Sequence, residues 1–212
     1  MKLYAISGLG ADKRVFQYLK LDCDLVPLDW IDPIENETIE DYAKRFTELI
    51  DTSEEYGIVG VSFGGLVAVE MSIILNPKIT ILISSAETRL ELRSIYRFLG
   101  KTKMLNLIPH KLFDPPRKIA SWIFGAKNKK LLGQILDDTD LRFAKWAANE
   151  LINWKSTERL RNVVMKIGGS KDKLIPPTKG KDLKLIENGE HFLIVDRADE
   201  VSHTINQVLI NW

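Results

Sequence analysis

A single cysteine, Cys23, stands in the 212 residues, so no disulfide can close within the chain and no redox compartment is selected. No histidine lies near it in sequence, and a buried structural thiol is the expectation for Cys23. No apolar run approaches the roughly 20 residues that a bilayer span requires, so no integral membrane segment is expected. The N-terminus passes straight into Lys2-Leu3-Tyr4-Ala5-Ile6 without a separate charged and apolar leader; no signal peptide is expected, and a cytoplasmic location is the default. Internal repeats and low-complexity tracts are missing as well. No His/Cys/Asp cluster has metal-ligand spacing, which predicts neither metal nor cofactor. The Gly-Lys-Ser/Thr of a phosphate loop is lacking, and so is the third glycine of a dinucleotide fingerprint.

What is present is an ordinary globular composition, 45% apolar and 28% charged. The length suits one domain, or one domain with an insertion, around a sizeable core. Net charge is only +1, but it is unevenly spread. Residues 1–88 carry 7 basic and 15 acidic side chains, residues 89–130 carry 11 and 2, and residues 131–212 balance at 12 and 12. The middle stretch therefore reads as an insertion with its own surface. Its cations alternate with Leu90, Leu92, Ile95, Phe98 and Leu99 at helical spacing, which favours solvated faces of amphipathic helices over a nucleic-acid or membrane surface. Trp122, Ile123 and Phe124 are expected to pack inward.

Strand and helix patterns alternate through the first part of the chain. Strands are expected at Lys2–Ser7, Leu25–Leu28, Tyr56–Val61 and Ile79–Ile83, and helices near 12–18, after Thr38, and over Leu66–Leu75. Residues 89–157 show helical patterns only. Strand character returns at Val163–Ile167 and Leu183–Ile186, and an amphipathic helix near 199–209 closes the chain. This order predicts an α/β fold: a mostly parallel sheet of about six strands with helices on both faces, and a helical insertion after the fourth strand.

In such sheets reactive groups gather at the carboxyl ends of the strands. After the first strand comes Ser7-Gly8-Leu9-Gly10, and after the third Gly60-Val61-Ser62-Phe63-Gly64, a G-x-S-x-G turn. The fifth is followed by Gly168-Gly169-Ser170-Lys171-Asp172 and the sixth by Asn188-Gly189-Glu190-His191. A serine at a tight strand-to-helix turn stands clear of the sheet, and glycine neighbours let the backbone bend that far.

These loops, in the chain order Ser…Asp…His, resemble the α/β-hydrolase family over most of the chain. The resemblance implies Ser62 as nucleophile, His191 as general base and then acid, and Asp172 as the orienting carboxylate. It implies an oxyanion hole from the backbone amides of Leu9 and Phe63. It divides the chain into a hydrolase core, 1–88 and 158–212, and a helical cap, 89–157, with Trp146 as a candidate for the pocket lining. Two departures stand out: Ser7-Gly8 replaces the His-Gly often found before the oxyanion loop, and the family's two leading antiparallel strands are not expected here. The implied activity is hydrolysis of a small carboxylic ester or thioester through an acyl-enzyme, with a small-molecule acyl substrate as the partner and no nucleic acid. Amide, C–C and acyl-transfer chemistries use the same three residues and stay open, as does a non-catalytic ligand-binding member.

Overall fold

Six parallel strands form one sheet in the order β2-β1-β3-β4-β5-β6, in a computed structural model that describes residues 1–102 and 104–210. In chain order the first half comprises β1 (Lys2–Ile6), β2 (Asp24–Leu28), α1 (Ile39–Phe46), β3 (Tyr56–Val61), α2 (Phe63–Leu75) and β4 (Ile79–Ile83). Helices α3 (Ser94–Thr102), α4 (Met104–Leu107), α5 (Arg117–Phe124), α6 (Lys129–Asp137) and α7 (Leu141–Asn153) follow. The chain then forms β5 (Val163–Gly169), β6 (Leu183–Ile186), α8 (Leu193–Asp196) and α9 (Ala198–Leu209). No antiparallel strand occurs among the described residues, and none of their helices is long and apolar enough to cross a membrane.

Every residue of β3 and β4 is buried, as continuous apolar strands covered on both faces must be. The edge strands β2 and β6 are partly exposed, and Pro27 is tolerated in β2 because an edge strand has one unpaired side. Two apolar layers flank the sheet. One gathers Val15, Phe16, Leu132, Ile135 and Ile205, and the other gathers Tyr42, Phe46, Phe63, Leu66 and Trp154. Cys23 is partly buried against the first layer, and that burial pushes its thiol pKa up.

Two expectations are corrected. Residues 12–18 form only a short 3-10 turn, Lys13–Phe16, because Asp12 accepts from the Arg14 amide and Leu19 already bonds back to Phe16. The pattern from Leu90 to Leu99 is not one helix. Arg89–Glu91 is a 3-10 turn, Leu92 is extended, and α3 starts at Ser94. Leu92 is buried in the core and pins this break.

The helical stretch between β4 and β5 is fastened where it leaves and rejoins the sheet. Glu87 accepts from the Leu160 amide at 3.1 Å and pairs with Arg159 at 3.0 Å, while Glu91 takes the buried Lys166 ammonium at 2.8 Å. The Arg89 amide donates to Ser156 O at 2.8 Å. A buried cation with charged, hydrogen-bonded partners is tolerated, where a lone one would not be.

Candidate active site

The strand order reverses between β1 and β3, so their carboxyl ends lie side by side with Ile6 opposite Gly60. Ser62 follows β3 with φ 53 and ψ −121, a conformation rare for a residue with a Cβ. Its backbone is held on several sides. The Ser62 amide donates to Ile83 O at 2.9 Å, and its carbonyl accepts from the Gly65 amide at 2.9 Å and the Ser85 hydroxyl at 2.7 Å. The strained turn persists because these bonds over-determine it. Glycine is required at Gly64 because a Cβ there would overlap the Ser7 carbonyl oxygen, so α2 begins directly against the end of β1.

The loops that carry Asp172 and His191 are joined to each other. A Cβ on Gly169 would overlap the backbone of Gly189, so the β5 and β6 loops touch main chain to main chain. Lys171 donates its amide to Gly189 O at 2.8 Å, and the Asn188 amide donates to the Ser170 hydroxyl at 2.8 Å. This contact brings His191 onto Asp172. His191 Nδ1 lies 2.8 Å from Asp172 Oδ2 and 3.0 Å from Oδ1, and Nε2 lies 3.0 Å from the Ser62 hydroxyl oxygen. A carboxylate only accepts, so Nδ1 carries the proton and Nε2 is left to accept from the serine. Asp172 Oδ1 also accepts the Leu174 and Ile175 amides, both at 2.9 Å, which fixes the carboxylate plane. His191 and Asp172 are both buried.

The amide of Phe63 opens α2, where the first N–H groups have no intrahelical partner and the helix end carries partial positive charge. Leu9 sits in the neighbouring loop, and Gly8 Cα is close enough that an added Cβ would come within 3.4 Å of Ser62 Cβ. Neither amide has a protein acceptor among the described residues. Where the resemblance led to His-Gly, the Ser7 hydroxyl braces the loop by donating to Ala11 O at 2.8 Å. Trp30 Nε1 donates to the same carbonyl at 3.0 Å, and the Thr139 hydroxyl donates to Gly10 O at 2.6 Å.

An apolar cavity of about 60 Å³ opens beside Ser62 and His191. Its walls include Leu9 and Val15 on one side and Phe124, Leu132, Ile135 and Leu136 from α5 and α6 on the other. Trp146 is not among the lining residues, which corrects the expectation for it. Its indole donates to Glu37 O at 2.9 Å and packs on Tyr42 at 4.6 Å. It also meets the buried Phe63 ring edge-on at 5.8 Å. Trp146 thus supports the residue that opens α2 from the far side of the sheet. Sequence reasoning missed the α6 wall, although Leu132, Ile135 and Leu136 form an apolar stripe at helical spacing.

No protein-family model matches the chain, and no curated sequence does. Solved structures do. The RedJ thioesterase from the prodiginine biosynthetic pathway of Streptomyces coelicolor is 16% identical, with a TM-score of 0.68 over 98% of this chain and 89% of that one. A lipase-esterase related protein from Clostridium acetobutylicum is 18% identical, with a TM-score of 0.70 over 97% and 93%. The enol-lactonase from Burkholderia xenovorans is 19% identical, with a TM-score of 0.70 over 99% and 91%. At these identities the likeness is one of fold, and the chain has the α/β-hydrolase fold.

Proposed function

We propose that the protein is a serine hydrolase that cleaves a short-chain carboxylic ester or thioester through an acyl-enzyme. The observation that carries this reading is the hydrogen-bonded series Ser62–His191–Asp172, with a strained serine beside two unpaired backbone amides. Similar folds named as a thioesterase and an enol-lactonase support it.

In this reading His191 Nε2 takes the Ser62 proton as Oγ attacks the carbonyl carbon, while Asp172 holds the imidazole tautomer and stabilises the imidazolium. The amides of Phe63 and Leu9 receive the tetrahedral oxyanion, each contributing about 3 kcal/mol to lowering the barrier. The imidazolium returns its proton to the departing alkoxide or thiolate. Water then attacks the acyl-enzyme by the same route, His191 taking its proton, and Ser62 leaves protonated.

The acyl chain lies in the cavity, and the helices of residues 89–157 serve as its cap over a core of 1–88 and 158–212. The cavity is small and its lining apolar, which supports a small acyl group as its occupant.

The test is hydrolysis of p-nitrophenyl esters graded in acyl length, with fluorophosphonate labelling. Ser62→Ala is expected to lower kcat/KM by at least about 10⁴-fold and to abolish labelling. Equal labelling of the variant and the parent would falsify the nucleophile assignment.

A further inference from the structure

Large apolar side chains left in solvent concentrate in the cationic helical stretch. Leu107 is 85% exposed, Leu112 71% and Trp122 68%, with Ile95, Phe98 and Ile119 exposed as well. On α5 the exposed positions Lys118, Ile119 and Trp122 share one helix face, while Ala120 is buried and Phe124 turns to the cavity. On α3 the exposed Ile95, Phe98 and Lys101 likewise share a face.

The stretch carries 11 basic and 2 acidic side chains, and its Arg117 also pairs with Asp137 at 2.6 Å. Of its two acids, Glu91 is taken by Lys166 at 2.8 Å and Asp114 by Arg117 at 2.5 Å. A shallow depression beside Trp122 is lined by Arg117, Lys118, Ser121 and Lys129. On α5 and the turn of residues 110–113 before it, cations and protruding apolar side chains therefore stand together in solvent.

We infer that the outward face of α5, with the turn of residues 110–113 before it, docks on the surface of an anionic phospholipid bilayer. The charge favours an anionic occupant, and the apolar side chains choose among anionic occupants. Protruding Leu, Ile, Phe and Trp side chains interleaved with Lys and Arg suit a fluid acyl layer beneath anionic headgroups. A protein interface would instead seat its anchors in complementary pockets. Trp122 fits the headgroup level, where amphipathic rings collect. Docking would bring α5, one wall of the cavity, to the lipid surface.

The test is co-sedimentation of the full chain with phosphatidylcholine vesicles, with and without about one-third phosphatidylglycerol. Binding is expected to the anionic vesicles alone and to fall steeply at high salt. The double variant Leu112→Glu/Ile119→Glu is expected to bind about tenfold more weakly. Near-UV circular dichroism and the melting temperature check its folding, and Lys111→Glu/Lys118→Glu gives a second variant without changes to apolar residues. Failure of the parent to bind anionic vesicles would overturn the inference, as would undiminished binding by both folded variants. So would retention of the parent on a polyglutamate resin, or its self-association in sedimentation velocity, if the substitutions abolished that and left vesicle binding untouched.

Discussion

The Lys173 ammonium lies 3.2 Å from the Glu190 carboxylate, joining the residue after Asp172 to the residue before His191. The same ammonium donates to Trp122 O at 2.9 Å and sits 4.8 Å from the Trp122 ring centroid. Just beyond, the Phe192 amide donates to Phe124 O at 3.0 Å. The C-terminal end of α5 is thereby attached to both loops that carry the proposed acid and base.

Lys173 and Glu190 are partly exposed, so their pair is screened and its loss is modest. Lys173→Met is expected to lower kcat/KM by about two- to fivefold, mainly in kcat. Lys173→Arg should recover part of the loss. Steady-state kinetics at low and high salt check this, since the parent should approach the variant as salt rises. An unchanged kcat would mean that the main-chain bonds between the loops position the site unaided.

Asp172→Asn separates orientation from packing. The amide oxygen can still accept the Leu174 and Ile175 amides, so the fold and melting temperature should change little. The neutral side chain no longer stabilises an imidazolium or enforces the Nδ1–H tautomer, and kcat is expected to fall by about 10⁴-fold. A loss below about tenfold would remove Asp172 from the proposed role.

The α6 wall should act as a ruler for the acyl chain. Leu136 is only partly buried, so Leu136→Ala deepens the cavity at less cost in stability than a change at the buried Ile135. The ratio of kcat/KM for octanoate over butyrate ester is expected to rise by about 10- to 100-fold. Trp146→Phe, by contrast, should leave that ratio alone and lower the melting temperature, because it removes the bond to Glu37 O outside the cavity.

A buried carboxyl gives a pH dependence of stability. Burial pushes the Glu70 pKa up, against the hydrogen bond from Trp154 Nε1 at 2.6 Å, and the Glu40 charge pushes the same way as burial. The folded chain then keeps this proton at pH values where the unfolded chain has lost it. The contribution is fully present below the unfolded value and is lost as pH rises through the folded one. Glu70→Gln keeps an acceptor for Trp154 and never ionises. Its melting temperature should match the parent near about pH 4 and exceed it near about pH 8; an equal difference at both would assign the effect to packing alone.

Much of the fold was legible because its signals are local. Continuous apolar runs marked β3 and β4, glycines marked the turns, and the order of Ser62, Asp172 and His191 could be read from short motifs at strand ends. What failed to read locally failed for a common reason. Leu90 and Leu92 lie two residues apart in one apolar pattern, yet Leu90 is exposed and Leu92 is in the core. Trp122 and Trp146 both sit on amphipathic helices, yet one faces solvent and the other braces Phe63. Periodicity shows that a helix has an apolar face and says nothing of what that face meets.

By itself the sequence determined the parallel α/β order, the elbow at Ser62 and the residue types that end each strand, because backbone sterics and hydrophobic patterning act within a few residues. Only the tertiary structure decided the rest. It brought His191 within 3.0 Å of Ser62 across 129 residues through the contact of Gly169 with Gly189. It built the cavity from Val15, Phe124 and α6, segments distant in the chain, and it left the cationic helices with their apolar side chains uncovered. Those outcomes depend on which surfaces bury each other, a property of the packed chain as a whole.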